Sequence, residues 1–267
     1  MTSTQPGFDP GPPAAVAQHF ATLPSYAAHA GLFWFDWGPI LYRGRLDRSA
    51  RVLCLASDPG PTERVAHRTL VGDAGQRVQG FLTKLGLTSS YVCVNAYAYA
   101  LLPSKADDAL TDVLPLPEQV AWRATLLDLI TGPQLQAVVA FGGQAQAALD
   151  LWADLPAGVH VERVPHPSSR SASALLTAWH AAIPRLRGIV TPDPDPDGAA
   201  GVALPNYGTS FRESDYAPIP RGDLPFGVPA FLGDDAWGRK ATPRHNNGVS
   251  RPSRDLLHTI EWVAPRS

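Results

Sequence analysis

The chain has 267 residues, a formal net charge of −2 and two cysteines. This length allows a substantial core and favours one α/β domain with an appendage, and two thiols exclude a four-cysteine iron–sulfur cluster. The sequence does not open on a basic start followed by an apolar core, and no apolar run approaches the roughly 20 residues that span a bilayer. We therefore expect a soluble, cytoplasmic protein, most simply a monomer, with no membrane partner, no metal and no cofactor.

The N-terminal part of the chain is irregular and then aromatic. Residues 1–13 are rich in Pro, Gly, Ser and Thr, which predicts disorder. Residues 14–30 have helical character, interrupted at Pro24. Residues 31–46 combine many aromatic side chains with two arginines, a pattern that fits either a core-lining aromatic cluster or a stacking platform for bases.

A short apolar run at residues 52–56 predicts the first buried strand. It ends in Ser57-Asp58-Pro59-Gly60-Pro61, a turn sequence, and helical spacing follows over residues 71–85. Asp58 therefore stands at the carboxyl end of a strand, where open α/β sheets bind ligands. The alternative is that its side chain only caps the turn.

Two more polar residues follow strands in the same way. Asn95 comes after the predicted strand at residues 91–94, and His166 stands between two prolines after the predicted strand at residues 159–164. An amide offers one acceptor and two donors to a planar ligand. A strand-end Asn that satisfies local backbone, or a structural His, is the alternative in each case.

The remaining elements alternate between helix and strand through residue 190. This alternation predicts a three-layer α/β/α sandwich with a short, mostly parallel central sheet and an irregular C-terminal extension. The Gly142-Gly143 pair fits a strand-to-helix turn better than a phosphate loop, because it lacks the G-x-G-x-x-G spacing. The other predicted segments are a surface loop over residues 103–117, a helix over 118–130, a strand over 135–141 and a helix over 174–186, N-capped by Ser171 or Ser173.

The chain divides into four parts in this interpretation. They are the disordered residues 1–13, an α/β domain at 14–190, a Pro/Asp linker at 191–198 and the extension at 199–267. Aromatic residues in the extension predict that it packs on the domain. Its basic residues fit either a solvated surface or a phosphate-contacting face; they are Arg239, Lys240, Arg244, Arg251 and Arg254.

Three motifs in this order resemble the uracil-DNA glycosylase superfamily. They are Ser-Asp-Pro-Gly after the first strand, Val-Asn-Ala after the second and Pro-His-Pro-Ser-Ser-Arg-Ser after the last, and the resemblance covers roughly residues 31–187. The first motif is similar to the family's G-Q-D-P form, with Ala56 and Ser57 in place of Gly and Gln. Residues 69–76 are instead similar to the P-F-V-G-x-A-G-Q of its G-E form.

The resemblance implies roles for particular residues. Asp58 matches the catalytic acid, His166 the motif histidine and Asn95 the residue that reads uracil. Leu70 stands where the family has an aromatic that stacks on the base, so Tyr97 or Tyr99 is considered as a substitute. The resemblance also implies that Ser57 and Gly60 line the substrate pocket, where Gly60 replaces a Tyr that blocks the thymine methyl. It implies that Arg170 wedges into the duplex. The residues that it implies contact DNA are Ser168, Ser169, Arg170 and Ser171.

The expected function is therefore hydrolysis of the N-glycosidic bond of uracil in single- or double-stranded DNA. One alternative is a relative that acts on another damaged base or retains the abasic product, covalently if His166 is a nucleophile. Another is a non-catalytic DNA-binding relative, in which Asp58, Asn95 and His166 would not converge. An unrelated nucleotide-binding α/β enzyme is disfavoured because the sequence has no phosphate loop.

Overall fold

A computed structural model describes residues 9–194 and 205–225. Its centre is a five-stranded sheet in which only the first strand is antiparallel, flanked by helices on both faces, and this confirms the predicted fold class. In the order β1-β3-β2-β4-β5, the strands are β1 Tyr42–Gly44, β3 Tyr91–Asn95, β2 Val52–Ala56, β4 Ala137–Phe141 and β5 His160–Val164.

Two helical layers cover the sheet. The third and last α-helices bury Phe81 and Trp179 on one face, and the first, fifth and sixth pack on the other. The α-helices are α1 Ala14–Phe20, α2 Pro61–Ala66, α3 Asp73–Lys84, α4 Ala106–Asp112, α5 Pro117–Ile130, α6 Gly143–Asp150 and α7 Ala172–Arg187, and short 3₁₀ helices span Ala27–Leu32, Phe35–Trp37, Pro103–Lys105, Glu213–Asp215 and Arg221–Asp223.

The strand sequences explain the layering. Every residue of β2 and β4 is buried, as expected for parallel strands covered on both faces, and both strands are continuous apolar runs. At the edge, β5 is only partly buried and carries charged side chains. Because β2 to β5 are parallel, their carboxyl ends lie along one edge of the sheet, which we call the carboxyl edge.

Three elements differ from the sequence predictions. Strand β1 lies inside the aromatic segment, and α2 precedes the predicted helix at residues 71–85, in a segment for which the sequence predicted no helix. The prediction of a loop over residues 103–117 is wrong, because α4 forms there with Asp107 and Asp108 in its first turn, where acidic side chains favour a helix. Both α2 and α4 are short, so neither gives a clear apolar period.

Residues 205–225 pack on α3. A buried ion pair joins Lys84 to Asp215 at 2.9 Å, and a second joins Arg43 of β1 to Asp223 at 2.8 Å. A side chain at Gly80 would collide with the backbone at Asp215, so this glycine permits the close approach. The extension therefore completes the α3 layer over these residues.

Other predictions on the termini lie partly outside the described residues. These include the disorder of residues 1–8, residues 195–198 of the linker and the basic residues between Arg239 and Arg254. The described part of the linker is anchored, since Asp193 accepts hydrogen bonds from the backbone N–H groups of Thr88, Ser89 and Ser90. Within residues 9–194 and 205–225, none of the helices has the length and apolarity needed to cross a bilayer.

Candidate active site

The carboxyl edge of the sheet brings the predicted site segments side by side. Ala56 pairs with Asn95, and the chain beyond them stays paired, because the Tyr97 N–H donates to the Ser57 carbonyl at 3.0 Å. On the other side of β2, the Gly142 N–H after β4 donates to the Val164 carbonyl at 2.8 Å. The order along this edge is therefore Asn95, Asp58, Gly142 and His166.

Gly142 allows the His166 loop to lie against the end of β4. Its φ is +88°, and a Cβ there would lie 2.8 Å from the His166 Cβ. A side chain at this position would push the histidine away from the carboxyl edge. This close approach gives the Gly142-Gly143 pair a structural role as a tight turn, as the sequence favoured.

The Asp58 carboxylate contacts both its own turn and a distant segment. Its Oδ2 accepts a hydrogen bond from the Leu101 N–H at 2.9 Å. Burial raises the pKa of this carboxyl to about 6, although hydrogen bonds from the Ser57 hydroxyl and the Leu101 amide act in the opposite direction. Asp58 is therefore ionised at neutral pH, but only at a cost in desolvation.

The cap of the Asp58 turn is Glu63, which the sequence analysis did not identify. The Glu63 Oε2 accepts from the Gly60 N–H at 3.0 Å, and its Oε1 accepts from the N–H groups of Val71 and Gly72 at 2.8 Å each. The first contact is one half of a capping box, because Gly60, the N-cap of α2, has no side chain to make the second hydrogen bond. The other two tie this turn to the segment that precedes α3.

Leu70 lies in that second segment in an unusual conformation. Its φ of +52° is in the left-handed region that leucine rarely adopts, and such strain is concentrated at functional sites. Its side chain is 5% exposed and packs in the same core layer as Ala56 and Val164. Gly75 makes the conformation possible, because a Cβ there would collide with the Leu70 carbonyl.

The Asn95 amide is buried without a protein partner. Among the described residues, neither its Oδ1 nor its Nδ2 has a hydrogen-bond partner, although both atoms are inaccessible. Leaving one such group unpaired costs about 1–3 kcal/mol. Strand alternation places Asn95 on the α3 face, since Cys93 packs in that layer and Val94 in the opposite one. An unpaired amide at a strand end points to a ligand.

His166 is held in one neutral form. Its Nδ1 accepts from the Ser168 N–H at 3.1 Å, and burial lowers its pKa to about 4. The ring is therefore uncharged at neutral pH, with its proton on Nε2, which becomes a hydrogen-bond donor. Two hydrogen bonds hold the loop that carries His166. The Pro165 carbonyl accepts one from the Trp179 indole N–H at 3.1 Å, and the Pro167 carbonyl accepts the other from Arg77 Nη1 at 2.6 Å.

Arg77 is a second residue that the sequence analysis missed. Its guanidinium lies over the rings of Phe211 and Tyr216, 4.3 and 5.5 Å from their centroids. Arg77 thus connects the described extension to the His166 loop through the Pro167 carbonyl. No local pattern indicates this, because the three contacts come from distant parts of the chain.

The remaining predicted residues are divided between the core and the surface. Tyr97 is 1% exposed, packs on Phe33 and donates its hydroxyl to Gln144 at 2.6 Å, so it offers no ring face for stacking. Ser171 N-caps α7 by accepting from the Ala174 N–H at 3.4 Å. In the His166 loop, Ser168 and Arg170 are exposed and Ser169 is partly buried, and in the Asp58 turn Ser57 and Gly60 are partly buried.

The sequence matches no protein-family model and no curated protein. What the site can do must therefore be argued from its chemistry. It offers an ionised carboxylate, a neutral imidazole donor and an unpaired amide along one edge of the sheet.

Proposed function

We propose that the chain is an N-glycosyl hydrolase that removes a base from DNA. The observation that carries this proposal is the buried, unpaired amide of Asn95 beside the Asp58 turn. Carbonyl and N–H groups on one edge of a base satisfy such an amide. We further propose that the base is uracil, because one amide can donate to O4 and accept from N3–H, whereas cytosine has a donor at position 4 and an acceptor at N3.

The three side chains have complementary roles in this reaction. The target nucleotide first leaves the base stack. Cleavage of the bond between C1′ and N1 then leaves positive charge on the sugar and negative charge on uracil. Asp58 stabilises the cation and orients the attacking water, and the His166 Nε2–H donates to O2 of the departing anion. Each preorganised group of this kind is worth about 3–4 kcal/mol.

The electrostatics of the site support this assignment. A neutral His166 donates to an anion without first needing a proton from solvent, and the buried Asp58 acts in surroundings where charge is poorly screened. Gly60 provides no side chain at the place where the family that the sequence resembles has a Tyr that blocks the thymine methyl, so we expect discrimination against 5-substituted uracils to be weaker.

The direct test is incubation with an end-labelled oligonucleotide that contains one uracil. Strand cleavage that appears only after alkali supports a monofunctional glycosylase, and the same oligonucleotide with cytosine is the control. A slow band that survives denaturation without alkali would replace the proposal with covalent retention of the product. No change in either arm would contradict hydrolysis of uracil.

The pH dependence of the reaction follows from the two perturbed groups. Asp58 must be ionised, so kcat/KM should fall about tenfold per pH unit below its pKa of about 6 and level off above it. His166, with a pKa of about 4, stays neutral over this range and adds no second inflection. Single-turnover rates between pH 5 and pH 8.5 measure this profile, and a rate that rises as the pH falls would contradict it.

Arg170 is expected to act on duplex DNA in particular. Its side chain is exposed in the His166 loop, where it can fill the gap left by a flipped nucleotide. Arg170→Ala should therefore weaken binding to duplex more than to single strands of the same sequence. Fluorescence anisotropy with both forms measures the difference, Arg187→Ala at the end of α7 is the control, and equal losses on both forms would remove this role.

A further inference from the structure

An exposed group of aromatic rings stands beside the candidate active site. Among the described residues, the exposed large hydrophobic side chains are Trp34 at 43%, Phe35 at 38% and Ile189 at 40%. Trp34 stacks on Trp37 with centroids 5.7 Å apart, and Phe35 stacks on Tyr99 at 4.6 Å. We call Trp34, Phe35, Trp37 and Tyr99 the aromatic patch.

The aromatic segment at residues 31–46 thus serves two purposes. Phe33 turns inward, where it is buried against Tyr26 and Tyr97. Trp34 and Phe35 turn outward on the short 3₁₀ helix and its N-cap. The core-lining interpretation therefore applies to Phe33, while Trp34 and Phe35 are the rings left exposed for a ligand.

Backbone contacts fix the aromatic patch next to the Asp58 turn. The Trp34 N–H donates to the Ala100 carbonyl at 2.8 Å, and the next residue, Leu101, donates its N–H to the Asp58 carboxylate. Arg64 reaches the patch from α2, with its guanidinium 5.4 Å from the centroid of a Trp37 ring. The rings and the candidate site therefore share a supporting segment.

We propose that the aromatic patch binds the unpaired bases of single-stranded DNA by stacking, beside the nucleotide that enters the site. The placement beside an excised base rests on the proposed function, whereas the binding itself does not. Flat rings with an arginine are the groups that hold unstacked bases. The exposed Asp36 repels phosphates, so the rings should contact bases, and the part of the affinity that they contribute should depend little on salt.

The composition of the aromatic patch is that of a platform on which bases stack. All its members are aromatic. The exposed aliphatic residue, Ile189, follows α7 at the end of the sheet opposite the carboxyl edge. There Thr191 forms hydrogen bonds with Arg51, which precedes β2, and with Gln136, which precedes β4. Ile189 is therefore a matched control, equally exposed but far from the candidate site.

The experiment measures anisotropy of a labelled 15-nucleotide deoxycytidine oligonucleotide titrated with the full chain. Trp34→Ala and Phe35→Ala should each weaken binding about tenfold, which is about 1.4 kcal/mol. Trp34→Phe should retain most of the affinity, and Ile189→Ala all of it. The factor for Trp34→Ala should be the same at low and high salt, because stacking rather than ion pairing is lost.

Three results would overturn the proposal. They are no binding of the oligonucleotide by the wild-type chain, alanine variants that bind as the wild type does, and an equal loss from Ile189→Ala. Thermal unfolding of each variant separates lost contacts from lost folding. Because the oligonucleotide holds only cytosine, which the candidate site is proposed to reject, the outcome does not depend on glycosylase activity, and an inactive chain that still binds through the patch would contradict only the proposed function.

Discussion

Asp58→Asn should lower the single-turnover rate of uracil release by a factor of about 100 to 1,000. Asparagine has nearly the same shape, and its carbonyl oxygen can still accept the hydrogen bond from the Leu101 N–H. What it removes is the negative charge that stabilises the developing cation. Affinity for uracil-containing DNA should stay within about twofold, since no ground-state contact to the substrate needs that charge.

The same substitution should stabilise the folded chain at alkaline pH. The pKa of Asp58 is about 6 in the fold against an ordinary value of 3.8. The fold binds this proton more tightly than the unfolded chain does, so protonation adds to the free energy of unfolding. This contribution is fully present below pH 3.8 and is lost as the pH rises through about 6. Above that point the buried charge costs up to about 3 kcal/mol, and asparagine avoids this cost.

The thermal midpoint of Asp58→Asn should therefore exceed that of the wild type at pH 8 and approach it at pH 4. The matched control is Asp154→Asn, which removes an exposed carboxylate from the segment between α6 and β5, away from the carboxyl edge, and should change neither rate nor stability. An unchanged rate for Asp58→Asn would remove Asp58 from the catalytic role. A lower midpoint at pH 8 would instead show that its charge stabilises the fold.

Asn95→Ala should separate function from stability most clearly. Its amide has no hydrogen-bond partner among the described residues, so its removal deletes no bond from the ligand-free chain and relieves an unpaired buried group. The thermal midpoint should stay the same or rise. The rate on uracil should fall about 100-fold, because the amide is the group that we propose to hold the base.

Gln144→Ala is the contrasting control. This amide is fully engaged, accepting from the Tyr97 hydroxyl at 2.6 Å and donating to the Ala106 carbonyl at 2.9 Å. Its loss leaves those partners unpaired, so the thermal midpoint should fall while the rate on uracil stays the same. If Asn95→Ala instead behaved like Gln144→Ala, with lower stability and full activity, Asn95 would be a structural residue.

Much of the fold could be predicted because its signals are local. The strands β2 and β4 are apolar runs bounded by turns, and parallel strands place the residues that follow them along one edge. That rule was enough to nominate Asp58, Asn95 and His166 and to expect them along the carboxyl edge, where the structure places the segments that carry them.

The supporting residues could not be predicted because their contacts are distant in sequence. Glu63 accepts hydrogen bonds from amides eight and nine residues further along the chain. Arg77 packs its guanidinium on Phe211 and Tyr216, which lie more than 130 residues away, and donates a hydrogen bond to the Tyr216 hydroxyl. The sequence also could not show which rings of the aromatic segment are buried and which are exposed. Phe33 and Trp34 are neighbours of similar character, and only the pairing with Ala100 and Leu101 decides which one turns inward.

The most direct measurement is the free base itself, quantified by mass spectrometry after single-turnover incubation. The substrates are matched single-stranded oligonucleotides with uracil or cytosine at one position, and the chain is used as wild type, Asp58→Asn and Asn95→Ala. We expect the wild type to release one uracil per strand and no cytosine, and both variants to release uracil much more slowly. Intact uracil-containing strands after incubation with folded wild-type protein, or equal release by Asp58→Asn, would contradict it.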